Sequence, residues 1–155
     1  MSTPTRLVVG AGNRRIPGYV HHDVLPLDDL DICCEFFDLP KHVEPSSCEE
    51  IQMTHVLEHF PMKRTVEVLE LLYDLLQDGG KLYIEVPNFH WHAEMILQNP
   101  RDRQIVEYAF GGQTDQWDFH YNCFTPEILT EDLIMAGFGI DEMEPASSIM
   151  CWASK

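Results

Sequence analysis

The residues of this chain that can do chemistry gather in a few short stretches. Leu7-Val8-Val9-Gly10-Ala11-Gly12-Asn13 is an apolar run that ends abruptly in two glycines. Glycine at such points permits positive φ and close approach of the main chain to a ligand. A strand delivering backbone in this way suits a nucleotide-like molecule. The full dinucleotide pattern is absent, because Arg15 and not glycine stands three places after Gly12. Since Gly-x-Gly also occurs in ordinary turns, the acids that follow carry part of the weight. Asp23 and Asp38 each close a segment rich in apolar residues. A carboxylate at a strand end can accept hydrogen bonds from ribose hydroxyls or from an exocyclic amine. Asp23 has few plainer uses, whereas Asp38 can equally cap a turn.

The histidines form a second set. His55 and His59 flank Glu58, and His90, His92 and His120 lie with Asp118 in an aromatic segment. His55 and His59 have the four-residue separation of a zinc-protease pair, but His55 falls at a strand end and not on a helix, so no metal is expected there. The later histidines with Asp118 can supply metal ligands, but aromatic packing and solvated imidazoles explain them more simply. An imidazole with an ordinary pKa of about 6.5 can take a proton from a hydroxyl or amine near neutral pH. His120, inside Trp117-Asp118-Phe119-His120-Tyr121, is the candidate general base or acceptor-positioning residue, with His55 the alternative; its plain role is packing a loop.

The elements that must position these residues follow from periodicity. Leu7–Val9 lacks polar alternation, as a strand covered on both faces does. Tyr19–Val24 and Asp31–Asp38 read as further strands closing on acids, joined by connections too short for a full crossover helix. Residues 39–50 read as loop with a helical turn, and Ile51–Val56 resumes the strand pattern. A helix is predicted over Met62–Gln77, with Val66, Leu69, Leu72, Tyr73 and Leu76 on one face and Asp78-Gly79-Gly80 as its stop. Lys81–Val86 is the next strand. Residues 89–124 are aromatic and irregular, with helices predicted around 93–99 and 102–109. Thr125-Pro126 opens a capped helix that Gly137 closes, and 138–143 with 148–152 form an antiparallel pair. Strands alternating with connectors or helices argue for a mostly parallel α/β sheet. Ligands of such sheets bind beyond the carboxyl ends of the strands, which collects Gly10, Gly12, Asp23, Asp38, Thr54, His55 and Asn88 around one crevice.

Composition narrows the partners. The 155 residues fit one domain, 1–155, and 10 basic against 26 acidic side chains give a net charge of -16. Such a surface repels phosphate backbones and anionic lipid, so neither nucleic acid nor membrane is an expected partner. The five cysteines are odd in number and lack Cys-x-x-Cys spacing, which suits reduced structural thiols. With no signal-like pattern over Met1–Arg6, the expected compartment is cytoplasmic.

The glycine stretch, Asp23, Asp38-Leu39-Pro40, Thr54-His55-Val56-Leu57-Glu58-His59, Leu76-Gln77-Asp78-Gly79-Gly80-Lys81-Leu82, Glu85-Val86-Pro87-Asn88 and Ala136-Gly137-Phe138 occur in the order and spacing of known motifs. Together they resemble those of the class I S-adenosylmethionine-dependent methyltransferases, over nearly the whole chain. The closest likeness is to a small subgroup with an abbreviated first crossover helix. The resemblance implies a Rossmann-like, seven-stranded, mostly parallel sheet with a C-terminal antiparallel hairpin and helices on both faces. It implies S-adenosylmethionine held by Gly10, Ala11, Gly12, Asn13, Asp23, Asp38, Leu39, Thr54 and His55. Asp23 would then take the ribose, Asp38 the adenine amine and Leu39 the ring, with Thr54 and His55 facing the sulfonium. Catalysis falls to His120 or His55, and a small-molecule acceptor to the variable segment 89–124. The shortened crossover also leaves room for a homodimer or a protein partner that completes the site. A non-catalytic cofactor-binding subunit and a nicotinamide-dependent oxidoreductase are the alternatives; the absent third glycine and the terminal hairpin count against the second.

Overall fold

A computed structural model describes residues 5–155, so part of the Met1–Arg6 segment read above lies outside the described residues. The chain runs β1 (Thr5–Val9), β2 (Val20–Asp23), β3 (Ile32–Cys33), β4 (Cys48–Thr54), α1 (Thr65–Leu75), β5 (Leu76–Pro87), α2 (Phe89–Gln98), α3 (Arg103–Phe110), α4 (Pro126–Met135), β6 (Gly139–Pro145) and β7 (Ser148–Ser154). The strands form one seven-stranded sheet in the order β3-β2-β1-β4-β5-β7-β6. β1 to β5 are parallel, while β7 pairs antiparallel with both β5 and β6. The strand order reverses between β1 and β4, so the glycines after β1 sit at the switch point where open α/β sheets bind ligands.

One face of the sheet is fully buried. Ile51, Met53, Leu82, Ile84, Ile149 and Cys151 have no exposed surface, and they pack with Val68, Leu69 and Leu72 of α1 and with Leu129 and Leu133 of α4 in a single core. Burying each leucine contributes about 1.5–3 kcal/mol. The other side of the same strands is half-buried and polar, because the loop 10–19 stands where a crossover helix would lie. Tyr19 donates to Glu50 at 2.6 Å, Gln52 donates to Tyr19 at 3.1 Å, and Tyr83 packs on Trp152 with ring centroids 5.0 Å apart.

Several elements differ from the sequence expectation for identifiable reasons. The strand expected over Asp31–Asp38 is only Ile32–Cys33, because Phe36–Lys41 winds into a 3-10 helix that buries Phe36 and Leu39. Asp38 therefore lies within that helix and does not end a strand. α1 starts at Thr65 after a 3-10 turn over Met62–Arg64, and it stops at Leu75, before the glycine pair. Its last carbonyls are already taken. Ser46 and Ser47 amides donate to Asp74 and Leu75 at 2.8 and 3.0 Å, and the Lys155 ammonium donates to Tyr73 and Leu76 at 2.9 and 2.8 Å. Gly79, at φ 73°, then turns the chain after the helix has ended. The capped helices 89–98, 103–110 and 126–135 carry Asn88, Asp102 and Thr125 as side-chain N-caps.

Candidate functional site

The turn after β1 is built from main chain and one carboxylate. Gly10 has φ 64°, and a Cβ there would stand 2.2 Å from Val56 Cγ2, so only glycine lets β1 and the end of β4 come this close. Gly12 has φ 51°, but a Cβ at that position would meet nothing within 4 Å, because it faces an open cleft. Asp23, 8% exposed, accepts from the Gly12 amide at 2.7 Å and from the Leu25 amide at 2.9 Å. Each carboxylate oxygen keeps a further lone pair for a ligand hydroxyl. Behind the turn, Ala11 is buried and donates its amide to the His22 carbonyl.

Arg15 holds the turn from outside. Its guanidinium donates to the Gly12 and Arg14 carbonyls, each at 2.8 Å, to the Asp29 carbonyl at 3.0 Å, and to the Asp28 carbonyl. The residue that breaks the dinucleotide pattern is thus a clamp between the glycine turn and the connector after β2.

The cleft beside Gly12 and Asp23 has a volume of about 420 Å³. Its far wall is aromatic: Phe36, Phe37 and Phe60 meet edge to face with centroids 5.0–6.1 Å apart, and Arg64 stacks 3.9 Å above Phe37. The adjacent Phe36-Phe37 and the Phe60-Pro61 step were visible in the sequence, but nothing local says that they converge. The structure does not bring every expected residue to this cleft. Asp38 instead pairs with Lys41 at 2.7 Å, and Leu39 is wholly buried in the core; Glu35 and Phe37 line the cleft where those two were expected. Asn13 is exposed and away from the lining, and Thr54 accepts from Arg14 at 3.0 Å on the polar side of the sheet.

A second cavity of about 650 Å³ adjoins the first and shares His55 and His59 with it as wall. Trp91, His92, Tyr108 and His120 also line it. His55 has the strained φ of 53°. Its Nδ1 lies 3.3 Å from Glu58 and its Nε2 lies 3.4 Å from Glu85. The Glu58 carboxylate, helped by Glu85, raises the His55 pKa against the opposing effect of burial. These contacts are close but poorly aligned, and Glu58, 1% exposed, has no hydrogen-bond partner at either oxygen.

The segment 111–124 folds back to bring His120 here. Tyr121 and Asn122 amides donate to the Glu58 carbonyl at 2.9 and 3.2 Å, and the Asn122 side chain donates to Thr65 at 2.8 Å. His120 Nε2 then lies 4.0 Å from Glu58, and burial lowers its pKa while Glu58 opposes that shift. His90 stays exposed at the start of α2, and the Asp118 carboxylate accepts from the Thr114 amide and hydroxyl. The four-residue set His90, His92, His120 and Asp118 is therefore not assembled; Glu58 and His59 are the neighbours of His120.

No protein-family model matches this sequence, and no curated protein matches it. Solved structures do. A methyltransferase from Methanosarcina mazei, described as S-adenosylmethionine-dependent, superposes with a TM-score of 0.70 at 18% identity, over 97% of this chain and 92% of its own. The 1,6-didemethyltoxoflavin-N1-methyltransferase of Burkholderia thailandensis, solved with 1,6-didemethyltoxoflavin and S-adenosylhomocysteine, gives 0.66 at 15% identity, over 98% of this chain and 71% of its own. The trans-methyltransferase CalH, solved with S-adenosylhomocysteine, gives 0.65 at 19% identity; this chain spans about half of its length, 51%. The fold is that of the class I S-adenosylmethionine-dependent methyltransferases.

Proposed function

We propose that the chain transfers a methyl group from S-adenosylmethionine to a small-molecule acceptor. One observation carries the proposal: a buried carboxylate, Asp23, holds an open-faced glycine turn at the switch point, beside an aromatic cleft that joins a second, histidine-lined cavity. In this reading Asp23 accepts from the ribose hydroxyls. Phe36, Phe37 and Phe60 receive the purine, Glu35 takes the exocyclic amine, and Gly10 and Gly12 let the methionine part lie against main chain. The acceptor enters the second cavity. A sulfonium is already a good leaving group, so the protein's task is to align acceptor, methyl carbon and sulfur in a dehydrated space. The carbon–sulfur bond breaks as the bond to the acceptor forms, and S-adenosylhomocysteine leaves. His55, in the wall common to both cavities and held between Glu58 and Glu85, is placed to receive the acceptor's proton. His120, packed against His59, lines the same cavity.

The test is calorimetric titration with S-adenosylhomocysteine. Wild type should bind it, and Asp23→Asn, which keeps one acceptor oxygen but loses the charge, should bind about tenfold more weakly, corresponding to about 1.4 kcal/mol for a charge-assisted hydrogen bond. Unchanged affinity in the folded variant would remove Asp23 from the ribose site. A purely cofactor-binding subunit would bind equally well, but the large second cavity favours an enzyme; His55→Gln should lower turnover and leave S-adenosylhomocysteine affinity intact.

A further inference from the structure

We propose that Glu58, His59 and His120 form a divalent transition-metal site, zinc by its donor set, in the wall of the second cavity. Their ligating atoms all lie within 4.8 Å of one another, and Glu58 Oε1 is 4.0 Å from His120 Nε2. Donors about 2 Å from zinc stand about 3.4 Å apart in a tetrahedron, so small side-chain rotations close the set. The orphaned carboxylate is the second observation. Glu58 is 1% exposed and neither oxygen has a hydrogen bond. An ionised carboxylate in that state is strongly disfavoured unless a cation partners it. The partly exposed His55 approaches only Oε1, at 3.3 Å, and leaves Oε2 with nothing.

The histidines are set up as ligands. A carbonyl can only accept, so His59 Nδ1 carries the hydrogen donated to the Phe119 carbonyl at 3.0 Å, and its Nε2 is left with a free lone pair. Histidine ligands are commonly oriented by such a bond from the other ring nitrogen. The His59 and His120 rings stand nearly perpendicular, 79°, with centroids 4.9 Å apart, which allows both to point at one ion without overlap. Two imidazoles and one carboxylate suit zinc, whereas calcium and magnesium prefer all-oxygen sets. Three protein ligands leave a position open, as at catalytic zinc sites.

Resting on the methyltransferase reading, that open position names the acceptor class: a molecule presenting an ionisable oxygen, such as a phenol or enol. Bound to the metal, its hydroxyl gives its proton to solvent by way of His55; the oxygen then bonds the methyl carbon as the carbon–sulfur bond breaks, and neutral S-adenosylhomocysteine departs.

The experiment uses the full chain stripped with a chelator and titrated with zinc, then with cobalt as a visible-absorption reporter. One zinc per chain is expected, with His120→Ala and His59→Ala each weakening it at least tenfold and His90→Ala leaving it unchanged. Glu58→Gln should also weaken zinc at least tenfold, and if that buried substitution prevents folding, the loop-borne His120→Ala keeps the test intact. No zinc binding by wild type, or equal binding by folded His120→Ala, overturns the site. S-adenosylhomocysteine is titrated into the same samples: binding without zinc affinity sinks the metal site alone, and zinc affinity without binding sinks the methyltransferase reading alone.

Discussion

Arg15 makes the connection between β1 and β2 rigid with a single side chain. Its planar fork satisfies carbonyls on two separate loops, which a lysine point charge cannot reproduce. Arg15→Lys and Arg15→Met are both expected to lower stability by about 1–3 kcal/mol, as loss of charge-assisted hydrogen bonds does, and to weaken S-adenosylhomocysteine binding. Denaturant melts and calorimetry check this, and full rescue by lysine would show that charge alone matters. His22 bears on pH. Its Nε2 donates to the Cys34 carbonyl at 2.9 Å while Nδ1 is buried without a partner, and burial lowers its pKa. The unfolded chain, titrating at about 6.5, therefore takes up this proton first as pH falls, so the contribution of His22 is complete above that pH and is lost as pH drops below it. A urea midpoint lower at about pH 5.5 than at about pH 8, with the difference reduced in His22→Gln, is the expected result. At this scale the sequence shows what is local. Gly10, Gly12 and Asp23 could be placed because strand ends and turn residues mark them. Arg15 could not be placed, because its partners are main-chain carbonyls in another loop, and Glu58 beside His120 depends on how segment 111–124 folds back.

The glycine turn is the element whose two ends do different work. Gly10 sits against Val56 and Gly12 opens on the cleft. Gly10→Ala should therefore cost more stability than Gly12→Ala, since both incur about 1–2 kcal/mol for a left-handed residue but only the first also clashes. Gly12→Ala should remain folded and bind S-adenosylhomocysteine more weakly. Comparable melting temperatures for the two variants would contradict the packing described at Gly10. α1 shows why boundaries were harder to read than elements. Its apolar stripe announced a helix, but its end is set by Lys155 and by the Ser46 and Ser47 amides, none of which belongs to the helix. The first half of the 3-10 helix, Phe36–Asp38, falls in the expected strand for a related reason: its apolar residues resemble a strand pattern until Phe36 and Leu39 find the core.

Across the whole molecule, the mostly parallel sheet, the antiparallel terminal hairpin and the helical core face follow from the alternation of elements and from apolar periodicity, while the seven-stranded arrangement follows from the resemblance to class I methyltransferases. What periodicity could not supply is the half-buried face, where Tyr83, Trp152, Gln52 and Glu50 occupy the space a crossover helix would cover. That missing helix also has an electrostatic consequence. In dinucleotide-binding folds, a helix N-terminus follows the glycines and aims its positive dipole end at a pyrophosphate. Here the chain passes from Gly12 to β2 without a helix, in a molecule of net charge -16. The glycine turn offers no macrodipole to an anion, and the cation in the cleft wall, Arg64, is already paired with Glu67, so the expected ligand is a nucleoside without phosphates and, through the surrounding negative field, one carrying a positive charge. ATP and NADH should bind at least tenfold more weakly than S-adenosylhomocysteine. The advantage of the cationic S-adenosylmethionine over its neutral product should shrink as salt is raised. Parallel titrations at low and high ionic strength measure both, and a phosphate-bearing nucleotide that competes on equal terms would show that the cleft selects its ligand by something other than charge.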